Sequence, residues 1–134
     1  MPDLAGVSHI SLTVTDVDRS VAWYQQVLGF QLLMPTERPG IKGAILVHQG
    51  SGLLLSFAQH EAGAGGAFDE LRTGLDHLSF RAADRDAVLA WQEHLAALDV
   101  KADLNDVPYG AVLVFRDPDD IQLEVFAAAP GLPL

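Results

Sequence analysis

The chain contains no cysteine among its 134 residues. This absence excludes disulfides, thiolate metal sites and a thiol nucleophile on the protein itself. Any thiol chemistry would therefore need a thiol supplied by a co-substrate. Because the sequence has no cysteine, it does not indicate whether the protein works in an oxidising or a reducing compartment.

Positive charge is scarce, since 8 Lys and Arg residues stand against 18 Asp and Glu, for a formal net charge of −10. Such a surface repels nucleic-acid phosphates and anionic lipid headgroups, so neither is expected as a partner. No apolar run approaches the roughly 18 residues of a membrane-spanning helix, and the N-terminus lacks a signal-peptide pattern. We expect a soluble cytoplasmic protein.

An internal repeat appears when the sequence is aligned with itself so that position 9 falls on position 77, and we call this the repeat alignment. Seven of 25 aligned positions are then identical, where about one or two are expected from residue frequencies. The identical pairs are Gly6 and Gly74, His9 and His77, Ser11 and Ser79, Asp16 and Asp84, Asp18 and Asp86, Ala22 and Ala90, and Trp23 and Trp91. The chain is interpreted as a tandem duplication.

Each half of the repeat predicts the order βαβββ. The segments "HISLTV" and "HLSFRA" alternate as half-buried strands do, and Asp16 and Asp84 are placed to cap the helices that follow. We predict one α+β domain over 1–134, with two βαβββ modules forming a cupped, mostly antiparallel sheet and helices on its outer face. Module one covers about 5–59, a Gly- and Ala-rich linker about 60–73, and module two about 74–128.

Apolar positions at helical spacing predict the buried stripe of each helix. The predicted stripes are Val17, Val21, Tyr24 and Leu28 in the first helix, and Val88, Trp91, Leu95 and Leu98 in the second. Gly29 is placed to end the first helix.

Polar residues share one face of the predicted strands. Ile121, Leu123 and Val125 alternate with Gln122 and Glu124, and the repeat alignment places Ser56 where Glu124 stands. The polar face therefore carries His9, Ser11, His77, Ser79, Gln122 and Glu124.

A carboxylate on an inward face costs several kcal/mol unless a positive charge meets it. Two imidazoles and one carboxylate are a metal-ligand set that leaves coordination positions open to substrate. A single histidine at a strand start is more often a hydrogen-bonded structural residue. Two histidines at duplicated positions favour metal binding.

The remaining candidates carry less signal. His48 lies in a strand but has no histidine partner in the repeat alignment, while His60 lies in the linker and His94 in the second helix. These three are interpreted as structural or solvated. Tyr109, at a turn, offers a phenol, and "DPDD" at 117–120 predicts a turn.

The segments "HISLTVTDVDRSVAWYQQVLGF", "DHLSF" and "FRDPDDIQLEVF" resemble the vicinal oxygen chelate superfamily, which includes glyoxalases, bleomycin-resistance proteins, fosfomycin-resistance enzymes and extradiol dioxygenases. The resemblance implies that His9, His77 and Glu124 are metal ligands. A fourth position, an acid or amide in the glyoxalase and epimerase branches, is Ser56 here. The three-ligand set therefore looks more like extradiol dioxygenases or fosfomycin-resistance transferases.

This resemblance implies a divalent-metal-dependent enzyme, dioxygenase-like or lyase-like, acting on a small oxygen-chelating substrate. Fe(II) or Mn(II) is favoured, with Ni(II) and Zn(II) as alternatives, and a homodimer is expected. The candidate catalytic residues are Glu124 and Tyr109, and the candidate substrate-binding residues are Ser11, Ser56, Ser79, Gln122 and His48. The alternative function is metal-free sequestration of a drug, as in bleomycin-resistance proteins.

Overall fold

The structure is a computed structural model that describes residues 1–63 and 65–132. Residue 64 of the predicted linker and the last two residues of the predicted domain lie outside the described residues. The chain divides into two compact units, Met1–Gly66 and Ala67–Leu134. We call them the first and second unit.

The two units share one order of elements. The first unit contains β1 (Ile10–Thr13), α1 (Val17–Leu28), β2 (Gln31–Arg38), β3 (Ile41–His48) and β4 (Leu53–His60). The second unit contains β5 (Leu78–Arg81), α2 (Arg85–Ala97), β6 (Ala102–Val107), β7 (Gly110–Arg116) and β8 (Gln122–Ala128). The predicted α+β fold with a repeated βαβββ order is confirmed.

Each unit has one four-stranded mixed sheet, with strand orders β1-β4-β3-β2 and β5-β8-β7-β6. The pairs β1–β4 and β5–β8 are parallel, and the other pairs are antiparallel. Ser11 pairs with Ser56 in the first sheet, and Ser79 pairs with Glu124 in the second. The strand register therefore follows the repeat alignment of the sequence.

Both helices begin at the predicted caps. The Asp16 carboxylate accepts a hydrogen bond from the backbone N–H of Arg19 at 3.0 Å, and the Asp84 carboxylate accepts one from Ala87 at 2.8 Å. These bonds satisfy N–H groups that have no partner inside the helix. The first helix ends at Gly29, whose φ of 72° is a left-handed conformation that favours glycine.

Each helix packs on one face of the sheet of its own unit. Tyr24 of α1 is fully buried, and so are Val88 and Leu95 of α2. The predicted stripe of α1 is only partly correct, because Ser20 and Val27 are buried while Val21 is half-buried. Val21 borders an open groove that α1 forms with β2 and β3.

No helix in the described ranges combines the length and the apolar character that crossing a membrane requires.

Candidate metal centre

The face of each sheet that lies opposite its helix carries the candidate site, and we call it the helix-free face. In β8, Leu123 and Val125 are buried against α2, so Gln122, Glu124 and Phe126 lie on the other side. The helix-free face comprises Ser11, Ile45, Val47, Leu54 and Ser56 in the first unit, and Ser79, Val112, Val114, Arg116, Gln122, Glu124 and Phe126 in the second.

His77 and Glu124 meet on the helix-free face of the second unit. His77 directly precedes β5, and its Nε2 lies 3.5 Å from Oε2 of Glu124. Its Nδ1 lies 2.6 Å from Oδ1 of Asp76. A carboxylate only accepts hydrogen bonds, so the Asp76 contact places a donated proton on Nδ1, and Nε2 is the ring nitrogen that faces Glu124.

These two side chains fit adjacent positions around one metal ion. With metal–ligand bonds of about 2.0–2.2 Å, neighbouring ligand atoms of one ion lie about 3 Å apart. The 3.5 Å between Nε2 of His77 and Oε2 of Glu124 is close to that separation. Within 1–63 and 65–132, no group of three or more His, Cys, Asp or Glu side chains is placed to hold one ion.

His9 occupies the corresponding position in the first unit. It directly precedes β1, is exposed, and has its Nδ1 3.2 Å from the hydroxyl of Ser8. Ser56, paired with Ser11, stands where the second unit has Glu124. The helix-free face of the first unit therefore carries a hydroxyl, that of Ser56, at the position where the second unit carries a carboxylate.

Gln122 is held by an arginine that the sequence reasoning did not select. Nη2 of Arg116 donates to Oε1 of Gln122 at 3.0 Å, and the same guanidinium donates to both carboxylate oxygens of Glu70 at 2.6 and 3.1 Å. The hydrogen bonds from Arg116 lower the pKa of Glu70 to about 2. Leu113 and Phe115 are buried, so Arg116 lies on the opposite face with Gln122, but Ala111 to Phe115 are apolar in succession and no alternation in the sequence indicated this.

The structure places His48 on the helix side of its sheet. It alternates with Ala44 and Leu46, which are buried, and its ring centroid lies 5.5 Å from that of Phe30. Its Nδ1 lies 2.9 Å from the hydroxyl of Ser51 in the following turn. His48 is therefore not brought together with Ser11 and Ser56.

Tyr109 lies in the turn between β6 and β7, and 53% of it is exposed. Its ring centroid is 6.3 Å from that of Phe126, two residues beyond Glu124. The phenol thus lies at the rim of the second unit's helix-free face.

The "DPDD" segment forms the predicted turn. Oδ1 of Asp117 accepts from the backbone N–H groups of Asp119 at 2.9 Å and Ile121 at 2.8 Å. Asp117 and Asp119 are mostly buried by this arrangement. The Asp117 carboxylate therefore stabilises the turn.

Comparison with known proteins gives a consistent result. The family model described as "Glyoxalase/Bleomycin resistance protein/Dioxygenase superfamily" matches residues 6–125. A solved glyoxylase/bleomycin resistance protein/dioxygenase domain from Frankia sp. is 37% identical, with a TM-score of 0.88, and the match covers 97% of this chain and 96% of that chain. No curated protein matches the chain.

More distant structures share the fold alone. FosX, a fosfomycin resistance protein from Listeria monocytogenes solved with Mn(II) and a sulfate ion, is 21% identical, with a TM-score of 0.70 over 96% of both chains. Lactoylglutathione lyase from Agrobacterium tumefaciens is 19% identical, with a TM-score of 0.73 over 94% of this chain and 96% of that chain.

Proposed function

The chain belongs to the glyoxalase/bleomycin resistance protein/dioxygenase superfamily, and on that basis we propose that it is a divalent-metal-dependent enzyme acting on a small substrate through two neighbouring oxygen atoms. His9, His77 and Glu124 would hold the ion. The observation that carries the proposal is the approach of His77 Nε2 to Glu124 Oε2 at 3.5 Å, with Asp76 on the other ring nitrogen.

The proposed ligand set favours Fe(II) or Mn(II), because two imidazoles and a carboxylate suit both ions. FosX was solved with Mn(II), which supports a divalent metal in this fold. Ni(II) and Zn(II) are the alternatives. When bound, the ion supplies a Lewis acid for the substrate oxygens.

The chain's own side chains would orient the substrate. Ser79 lies directly beside Glu124, and Ser11 lies beside Ser56, so hydroxyl donors accompany the proposed ligands in both units. Gln122 is held in place by Arg116 at 3.0 Å. These residues fit the hydrogen-bonding needs of a substrate rich in oxygen.

We assign the proton-handling roles to Glu124 and Tyr109. Glu124 has 14% of its side chain exposed, so a carboxylate that also contacts the substrate is shielded from bulk water. Tyr109 brings a phenol to the rim of the same face. The reaction class is dioxygenase-like or lyase-like, and we leave His48 out of the site because it lies on the helix side of β3.

The alternative is metal-free sequestration of an aromatic or peptide drug. It is favoured by β2, where Leu33 and Met34 are 57% and 53% exposed. Exposed apolar side chains of this kind mark binding surfaces. The His77–Glu124 pair, which a metal-free binding protein would not need, favours the enzyme.

Metal content decides between the two functions. Untagged protein, purified without chelator, is analysed for metals as wild type, as the His9→Ala/His77→Ala double variant and as His48→Ala. We expect about one equivalent of Fe, Mn, Ni or Zn per chain in the wild type and in His48→Ala, and none in the double variant. Wild type that takes up no metal after reconstitution contradicts the enzyme proposal and favours drug binding.

A further inference from the structure

We infer that Asp76 and Ser8 are positioning residues, each orienting the histidine that follows it, and that Asp76 makes His77 a tighter metal ligand than His9. The statement that His77 binds metal more tightly rests on the proposed function. The statement that Asp76 and Ser8 orient the rings concerns the histidines alone.

The two contacts occupy equivalent places in the repeat. The repeat alignment pairs position 8 with position 76, just as it pairs His9 with His77. In one unit the hydroxyl of Ser8 lies 3.2 Å from Nδ1 of His9, and in the other the carboxylate of Asp76 lies 2.6 Å from Nδ1 of His77. The residue type has changed between the units while the contact with Nδ1 is kept.

The change of residue type alters what the contact does. A carboxylate only accepts, so Asp76 holds a proton on Nδ1 and, in the neutral ring that binds a metal, leaves the lone pair on Nε2. The hydroxyl of Ser8 both donates and accepts, so it orients the His9 ring without selecting a tautomer. The contact at 2.6 Å is short, as is expected when the acceptor is a charged carboxylate.

A carboxylate behind a metal-binding histidine has a known consequence. It fixes the ring orientation and raises the basicity of the free nitrogen, and its loss typically costs about 10–100-fold in metal affinity. In this protein the free nitrogen, Nε2 of His77, already faces Glu124 at 3.5 Å. Asp76 therefore prepares the pair that fits the ion, and His9 would supply the second imidazole.

A purely structural ion pair is the competing explanation for the Asp76–His77 contact. Asp76 has 69% of its side chain exposed and His77 has 40%, and exposed ion pairs contribute little to stability. A structural ion pair needs protons on both ring nitrogens of His77. The positioning role instead needs a neutral ring whose one proton is on Nδ1.

The first test reads the His77 tautomer in the metal-free protein by ¹⁵N-detected NMR of the imidazole ring. We compare wild type with Asp76→Asn, whose amide oxygen still accepts, and with Asp76→Leu, which has a similar size and no acceptor. We expect the Nδ1–H tautomer in wild type and Asp76→Asn, and its loss in Asp76→Leu. An unchanged tautomer in Asp76→Leu overturns the positioning role.

The second test titrates the same proteins and Ser8→Ala with Mn(II). We expect affinity to fall about 10–100-fold in Asp76→Leu, with a smaller fall in Ser8→Ala. Equal affinity in wild type and Asp76→Leu overturns the tighter ligation assigned to His77. If wild type binds no metal, the proposed function and the affinity difference both fail, while the tautomer measurement still decides the positioning role.

Discussion

Glu124 is the residue on which the metal proposal most depends. Its carboxylate has 14% side-chain exposure and lies 3.5 Å from the His77 ring, which is longer than a normal hydrogen bond. A carboxylate with so little exposure to water is unfavourable without a cation to meet its charge. An ion between the two groups removes this cost.

Glu124→Gln tests this point directly. Removing the charge should lower Mn(II) affinity by at least roughly 10–100-fold. That is the loss typical of residues that hydrogen-bond to a metal ligand without binding the metal themselves. The thermal unfolding temperature should be kept or slightly raised, because a buried charge is lost. Calorimetric titration and thermal scans provide the measurement. Glu93→Gln, an exposed residue of α2, makes the same charge change and should affect neither property.

At the scale of elements, the segment between β4 and β5 enters the second unit and is held there at two points. The backbone N–H of Phe68 donates to the carbonyl of Asp119 at 2.9 Å, in the turn between β7 and β8. Glu70 accepts two hydrogen bonds from Arg116 at the end of β7. Because Arg116 also holds Gln122, the attachment of this segment is coupled to the helix-free face.

Glu70→Gln should therefore weaken folding in a pH-dependent way. The pKa of Glu70 is lowered from 4.5 to about 2, so its stabilising contribution is present above pH 4.5 and is lost as pH falls toward 2. Denaturant titrations at neutral and acidic pH should show Glu70→Gln less stable than wild type at pH 7, with the difference disappearing near pH 2. A difference of equal size at both pH values would contradict the role of the ion pair.

At the scale of the whole molecule, the proposed ligands are divided between the two compact units. His9 belongs to Met1–Gly66, and His77 and Glu124 belong to Ala67–Leu134. A complete ligand set therefore needs a first unit and a second unit, which come either from the same chain or from two copies of it. The expected homodimer makes both arrangements available.

Light scattering after size exclusion should give a mass of about twice the 14.4 kDa of one chain. A mass of one chain at micromolar concentration would contradict the dimer. Co-refolding His9→Ala with His77→Ala then identifies the source of the ligands. Heterodimers should regain metal if two chains share a site, and should remain empty if each chain supplies its own three ligands.

Local patterns in the amino-acid sequence were enough to predict the repeated fold and to select the residues of the proposed metal site. Alternation placed Glu124 opposite Leu123 and Val125, and the helix caps follow from the position of Asp16 and Asp84. The repeat alignment carries over into strand register, since duplicated strands pair through the same backbone pattern.

Which polar atoms meet became known only from the folded chain. Glu70 and Arg116 are 46 residues apart, so no local pattern indicates their pairing. The side on which His48 lies was also undetermined, because Ile45, Leu46 and Val47 are apolar in succession and alternation favours neither face. The contacts of Ser8 and Asp76 with their histidines depend on side-chain rotamers, which are set by the packing around each ring rather than by residue spacing.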